Sequence, residues 1–213
     1  YTEDIIAEDS DEDSLGGNVT LLGQVSKRVG VVLIGDALQY NYANSTDYER
    51  GFGTMIGALG IEALFSPNFR MGARAGVQTV EYEDDSLDSG NTPYASLTFQ
   101  ATPMPATRLS GGVTHSYRKS DVYPFASQKA TDVSGRLEWD AVPSQLTLTL
   151  NALYRVGTYE VDALPASATD TTVYVTGDKT LVAGSAEAVY KFDKATSASL
   201  GYSYEDVSSD VDA

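Results

Sequence analysis

The 213-residue chain has no cysteine, one histidine, three methionines and one tryptophan, and it carries 14 Lys plus Arg against 30 Asp plus Glu. Without cysteine it has no disulfide framework, no thiolate-ligated zinc or iron–sulfur centre and no thiol nucleophile. A formal charge of −16 excludes the basic footprint of a nucleic-acid-binding protein. Long apolar runs are missing too. The longest mostly apolar stretch, Val29 to Leu38, already contains Asp36, so no helix of about 20 apolar residues is available to cross a bilayer. Membrane residence survives this exclusion, because a transmembrane β-barrel alternates apolar and polar residues and only its period betrays it. At 42% hydrophobic and 21% charged the chain is also unlike a disordered one.

What is present is a period of two. Apolar residues recur at alternate positions in ten segments, at about 15–26, 29–42, 52–65, 69–82, 92–102, 107–119, 130–142, 145–161, 179–192 and 196–206. Thr, Val, Tyr and Gly dominate these segments, and no apolar stripe at three-to-four spacing persists, which argues against helices. Most segments run 11 to 15 residues. Strands in soluble domains average about 5 to 6 residues, whereas tilted strands crossing a bilayer need about 9 to 11.

The connections alternate in kind. Tight turns fall at Lys27-Arg28, Ser66-Pro67-Asn68, Pro103-Met104-Pro105-Ala106, Pro143-Ser144 and Asp193-Lys194-Ala195, and loops of 9, 9, 10 and 17 residues fall at 43–51, 83–91, 120–129 and 162–178. In an up-and-down meander this alternation collects every tight turn at one end and every loop at the other. Six of the seven prolines lie in turns or loops, and Pro93 sits near a strand start, where its missing N–H is expected to do least harm.

Face assignments follow from the alternation. Leu146, Leu148, Leu150, Ala152, Tyr154 and Val156 oppose Gln145, Thr147, Thr149, Asn151, Arg155 and Gly157, with Leu153 the exception. Leu137 and Trp139 oppose Arg136, Glu138 and Asp140, and Met71, Ala73 and Ala75 oppose Arg70, Gly72 and Arg74. Segment 29–42 is apolar on both faces and stays unassigned. A water-soluble β-sandwich or β-solenoid also alternates, and strand length together with the Ala, Gly and Leu content of the apolar face favours the barrel.

Tyrosines followed by polar residues recur at the loop-side strand ends: Tyr40-Asn41-Tyr42, Tyr82-Glu83, Tyr117-Arg118, Tyr159-Glu160 and Tyr202-Ser203-Tyr204. With the turn pattern, this resembles bacterial outer-membrane β-barrel proteins of the porin type across nearly the whole chain. The resemblance implies an all-β, antiparallel up-and-down transmembrane β-barrel, a single domain over 1–213, in a Gram-negative outer membrane. It also implies outer-membrane lipid and lipopolysaccharide as surroundings, and it allows an oligomer or larger complex. Tyr40, Tyr42, Tyr82, Tyr117, Tyr159, Tyr202 and Tyr204 are then expected to form an aromatic girdle near the loop-side rim. In that family both ends lie at the tight-turn side and the last strand ends in an aromatic. Here the first segment starts at the loop side and the sequence ends Asp210-Val211-Asp212-Ala213. A chain lacking flanking strands is therefore expected, ten strands of a barrel of twelve or more, with 1–14 an acidic loop or strand tail.

Candidate chemistry is sparse. His115 falls on the apolar face with Leu109, Val113 and Tyr117, without a nucleophile on its side, so an interfacial residue is expected rather than a catalytic one. Asp9-Ser10-Asp11-Glu12-Asp13 begins like a calcium loop, but Ser14 stands where Gly is required and Thr20 where a bidentate Glu is required. A loose divalent-cation site at Asp9, Asp11 and Asp13 is the weaker alternative to a solvated acidic loop. On the polar faces Asp36, Glu62, Asp132, Glu138, Asp140, Glu187 and Glu205 meet Arg70, Arg74, Arg108, Arg118, Arg136, Arg155 and Lys191, the expected lining of a lumen.

The leading expectation is a non-enzymatic channel or transport conduit for small solutes or polymers, needing no cofactor. A structural or surface-interaction barrel with acidic loops is the alternative, and a soluble β-sandwich binding module the next. Charge is segregated: residues 1–14, the four loops and 206–213 hold 20 acids against Arg50 and Lys129 alone, and everything else holds 10 acids and 12 bases. The loop end is thus expected to favour cations and to hold divalent ions.

Overall fold

A computed structural model describes residues 12–42, 51–83, 89–119, 127–158 and 177–209. Ten strands follow one another: β1 (Glu12–Ser26), β2 (Val29–Tyr42), β3 (Phe52–Ser66), β4 (Phe69–Tyr82), β5 (Gly90–Met104), β6 (Thr107–Lys119), β7 (Ser127–Val142), β8 (Leu146–Thr158), β9 (Asp178–Lys191) and β10 (Ser197–Ser209). They form one sheet in sequence order, each pairing antiparallel with the next. Every expected segment is a strand, with ends moved by three residues or fewer. Among the described residues β1 and β10 each have a single neighbour, so the sheet is open along those two edges.

The tight turns are closed by side chains suited to them. Ser26 Oγ accepts from the backbone N–H groups of Arg28 and Val29 at 3.2 and 3.1 Å, and Ser66 Oγ from that of Asn68 at 3.3 Å. Asp193 Oδ1 accepts from Ala195 N and Thr196 N at 2.7 and 2.8 Å, and these two bonds hold its carboxyl below the ordinary aspartate range. At Val142-Pro143-Ser144-Gln145 the Gln145 N–H reaches Val142 O at 3.0 Å and Ser144 has φ 66°. That is a type II turn, with proline where φ is preset and a serine where glycine is preferred. In four of the five hairpins the register slips beside the tight turn, at Gln24/Ser26, Leu64/Ser66, Ala101/Met104 and Asp140/Val142; such bulges add twist.

Burial separates the two faces. In β3, Thr54 and Ala58 are 6% and 4% exposed while Met55 and Leu59 are 60% and 62% exposed. Gln78, Thr92, Ser96, Asp132 and Thr149, on the same face as Thr54, are also buried. A lone sheet with nothing stacked on it can bury one face only by curling around it, so the polar face is concave and the apolar face convex. Leu150 and Trp139 stand exposed on the convex side, with Leu137, Leu146 and Leu148 half-buried beside them. Pairing with β3 now assigns β2: Val31 and Leu33 face out, while Val32, Ile34, Asp36 and Leu38 face in.

Close curling leaves no room for side chains at some inward positions. A Cβ on Gly76 would lie 2.0 Å from Gly57 O, and one on Gly112 would lie 2.4 Å from Leu97 O. Pro93 is not at a harmless place. It lies inside β5, and the β5–β6 ladder stops at Ala95↔His115; the same register continued would set Pro93 opposite Tyr117. There the buried Gln78 carboxamide takes over, donating to Tyr117 O at 3.1 Å and accepting from Tyr117 N at 2.8 Å. It supplies the donor that proline lacks.

Gly76→Ala should therefore destabilise the sheet by about 1–3 kcal/mol, as overpacking does, whereas Gly57→Ala, whose Cβ would meet nothing within 4 Å, should leave urea unfolding in micelles nearly unchanged.

Candidate functional site

The concave face carries every residue expected to line a lumen: Asp36, Glu62, Arg70, Arg74, Arg108, Arg118, Asp132, Arg136, Glu138, Asp140, Arg155, Glu187 and Lys191, with Glu205. Their charges are gathered into three groups. Toward the loop end Asp132, 9% exposed at its side chain, accepts from Arg155 Nε and Nη2 at 2.8 and 3.2 Å and pairs with Arg118 Nη2 at 2.7 Å. Two oxygens thus serve two guanidiniums, one of them bidentate. Nearer the tight turns Arg108 bonds Glu138 and lies 3.5 Å from Asp140, which accepts from Thr147 Oγ1 at 3.0 Å, while Arg136 lies 3.5 Å from Glu138. On β3 and β4, Glu62 pairs with Arg74 at 3.2 Å, and Arg70 donates from Nε to Gln100 Oε1 at 2.8 Å.

These partners are cross-strand neighbours or diagonals: Arg108↔Glu138, Asp132↔Arg155, and Arg74 one inward step from Gly72, which faces Glu62. Alternation puts them on one face and the register brings them within reach. Asp36, Glu187, Lys191 and Glu205 have no ion-pair partner among the described residues, and Arg70 bonds Gln100 in place of a carboxylate. Sequence reading missed Lys179, 6% exposed and one inward step loopward of Leu181, which faces Arg155. It also missed the buried Gln78 and Gln128. The alternation that places Leu181 and Asp132 inward also places Lys179 and Gln128, so the signal was available there; the reach of Gln78 to β6 has no sequence signature.

The tyrosines are not one band. Tyr40 stacks on Phe52 with ring centroids 4.8 Å apart, Tyr82 lies 6.5 Å from Phe52, and Tyr117 joins the cluster formed with buried Phe52 and Val80. The reason is geometric: Tyr40 and Tyr82 share the inward parity of Phe52, and Tyr117 is drawn in by the Gln78 bonds to its backbone. Tyr202 and Tyr204 are instead exposed on the convex face, mid-way along β10. Tyr42 ends β2, and Tyr159 lies outside the described residues. So do Asp9 and Asp11; Asp13 is exposed near the start of β1, and no group of three or more metal-binding side chains occurs among the described residues. His115 is half-buried on the apolar face and its Nδ1 lies 2.9 Å from Thr131 Oγ1.

No protein-family model matches the sequence, and no curated protein does. Among solved structures, the copper transporter OprC is similar in fold, with a TM-score of 0.56 at 14% identity over 91% of this chain. The match covers 38% of the OprC chain, so this chain spans little more than a third of that transporter's length. The likeness is one of fold: the ten long antiparallel strands form an open up-and-down sheet of the kind that makes the wall of an outer-membrane β-barrel.

The Asp132 group should matter to stability in a graded way. Asp132→Asn removes the buried charge that two guanidiniums share and should cost about 3 kcal/mol, whereas Arg118→Gln, at a side chain 42% exposed, should cost about 1 kcal/mol or less. Unfolding in micelles measures both, and equal losses would contradict the arrangement.

Proposed function

We propose that the chain is wall from a non-enzymatic bacterial outer-membrane barrel that serves as a conduit for small solutes. The observation carrying this reading is the inversion of its faces, a charged, partly buried concave surface backed by an exposed apolar one, in a chain whose fold is like that of a transporter. Outer-membrane lipid and lipopolysaccharide are the proposed surroundings of the apolar face, and this reading allows an oligomer or larger complex. The acidic loop end is the proposed entrance. It concentrates cations and binds divalent ions through carboxylate oxygens, which are hard ligands.

Copper is not carried over from the structural neighbour to this wall. Copper(I) prefers thiolate, thioether and imidazole ligands; cysteine is absent, Met55, Met71 and His115 lie on the convex face and Met104 beside a tight turn. A structural barrel is the second reading, favoured by the extent to which the concave charges neutralise one another in pairs.

Planar-bilayer recordings decide between them. A conduit should conduct, with a cation preference at low salt that fades at high salt, because exposed charges are screened within about 8 Å at physiological ionic strength. Anion preference at low salt would refute the entrance argument, and no conductance would favour the structural barrel.

A further inference from the structure

The strongest unassigned feature is a basin of about 400 Å³ at the tight-turn end of the concave face, bounded by the β1–β2 turn and by β3, β4 and β5. Lys27 and Arg28 come from the turn, Arg70 and Arg74 from β4, and a single carboxylate, Glu62, stands against them. Four cations and one anion give a local charge of about +3, in a chain whose total is −16. Glu62 pairs with Arg74 through Nη2 only, at 3.2 Å, and the buried Arg74 Nε has no hydrogen-bond partner. A buried donor left unmade costs about 1–3 kcal/mol, more when charged, unless a ligand or water satisfies it. Arg70 is already aimed: Gln100 accepts from its Nε and Nη2 and fixes the plane of the guanidinium.

We infer that this basin is a binding site for small, multiply charged oxyanions, the class that includes inorganic phosphate, phosphate monoesters and compact polycarboxylates. Two guanidiniums four residues apart on the inward face of one strand, with Gly72 between them, offer planar donor forks, which match tetrahedral or trigonal oxyanions better than a halide. The turn cations add charge at the mouth. The volume exceeds that of one phosphate and lies at the low end for organic ligands, so the bound species is held on its charged end with room for a small body. The charged part of its lining from the strands, Glu62, Arg70 and Arg74, belongs to the polar face, and this makes a soluble anion the ligand rather than a lipid headgroup.

This site does not rest on the conduit reading, since binding is measured without any ion flow. The full chain in non-ionic micelles is titrated with inorganic phosphate by calorimetry and by phosphorus NMR line broadening, in low salt. Saturable binding is expected. Arg28→Gln and Arg70→Gln should each weaken it about tenfold, the loss of one charge-assisted contact. Glu62→Gln should tighten it several-fold by removing the competing carboxylate and releasing Arg74, a gain that misfolding does not produce. Lys194→Gln, a cation in the β9–β10 turn, should change nothing. Adding micelles that contain a phosphate-bearing lipid should leave the phosphate affinity unaltered; competition by that lipid would make the headgroup the ligand and overturn the soluble-anion assignment. No saturable binding by the wild type, or affinities indifferent to Arg28, Arg70 and Glu62, would overturn the site.

Discussion

A single β-sheet ten strands wide has two faces and, among the described residues, no second layer to pack on either. In water such a sheet would be expected to turn its leucines and valines toward each other and its charges outward. This one does the reverse, and the consequence is physical. Fully burying one large aliphatic side chain is worth about 1.5–3 kcal/mol, so a convex face bearing Met55, Leu59, Ile61, Val77, Leu97, Leu150 and Trp139 at 46–62% exposure requires an apolar medium around it. Backbone groups add a matching condition. In hydrocarbon each N–H and C=O must be satisfied within the protein, which the antiparallel ladder accomplishes between the two open edges and which the Gln78 bonds restore where Pro93 interrupts it.

The interior follows from the same curl. Once the polar face is concave, inward residues crowd, and the chain answers with glycine at Gly76 and Gly112 and with opposed charges where side chains are long. Asp132 shows the outcome most clearly. A carboxylate this buried is tolerated because two arginines from the flanking strands β6 and β8 close on it. At the tight-turn end the compensation is incomplete, with cations outnumbering Glu62. Stability dominates at the first place and binding at the second.

Most of this was legible in the sequence because a period of two survives in a lone sheet. No second layer obscures which residues face which way, so Arg70, Arg136 and Arg155 could be assigned inward from parity alone. Strand ends were read to within three residues because proline, serine and asparagine mark the turns. Three features were not legible. The double apolarity of β2 hid its orientation until the β3 register supplied it. The tyrosines share a local sequence theme, yet parity sends Tyr40 and Tyr82 inward and Tyr202 and Tyr204 outward, because the theme does not keep one parity relative to the strand. The basin also escaped notice, since it joins a turn, β3 and β4 across more than 40 residues of sequence, and its excess charge is visible only in three dimensions.

The central claim is that the apolar face meets lipid and the charged face meets water. The natural absence of cysteine allows a direct measurement: single cysteines placed one at a time along β8 from Thr147 to Val156, in chain reconstituted into lipid vesicles. Positions 147, 151, 153 and 155 should react with a membrane-impermeant thiol reagent, and positions 148, 150, 152, 154 and 156 should be protected and, when carrying a fluorophore, quenched by lipid-borne nitroxides. A reversed alternation, or equal reactivity along the strand, would contradict the account.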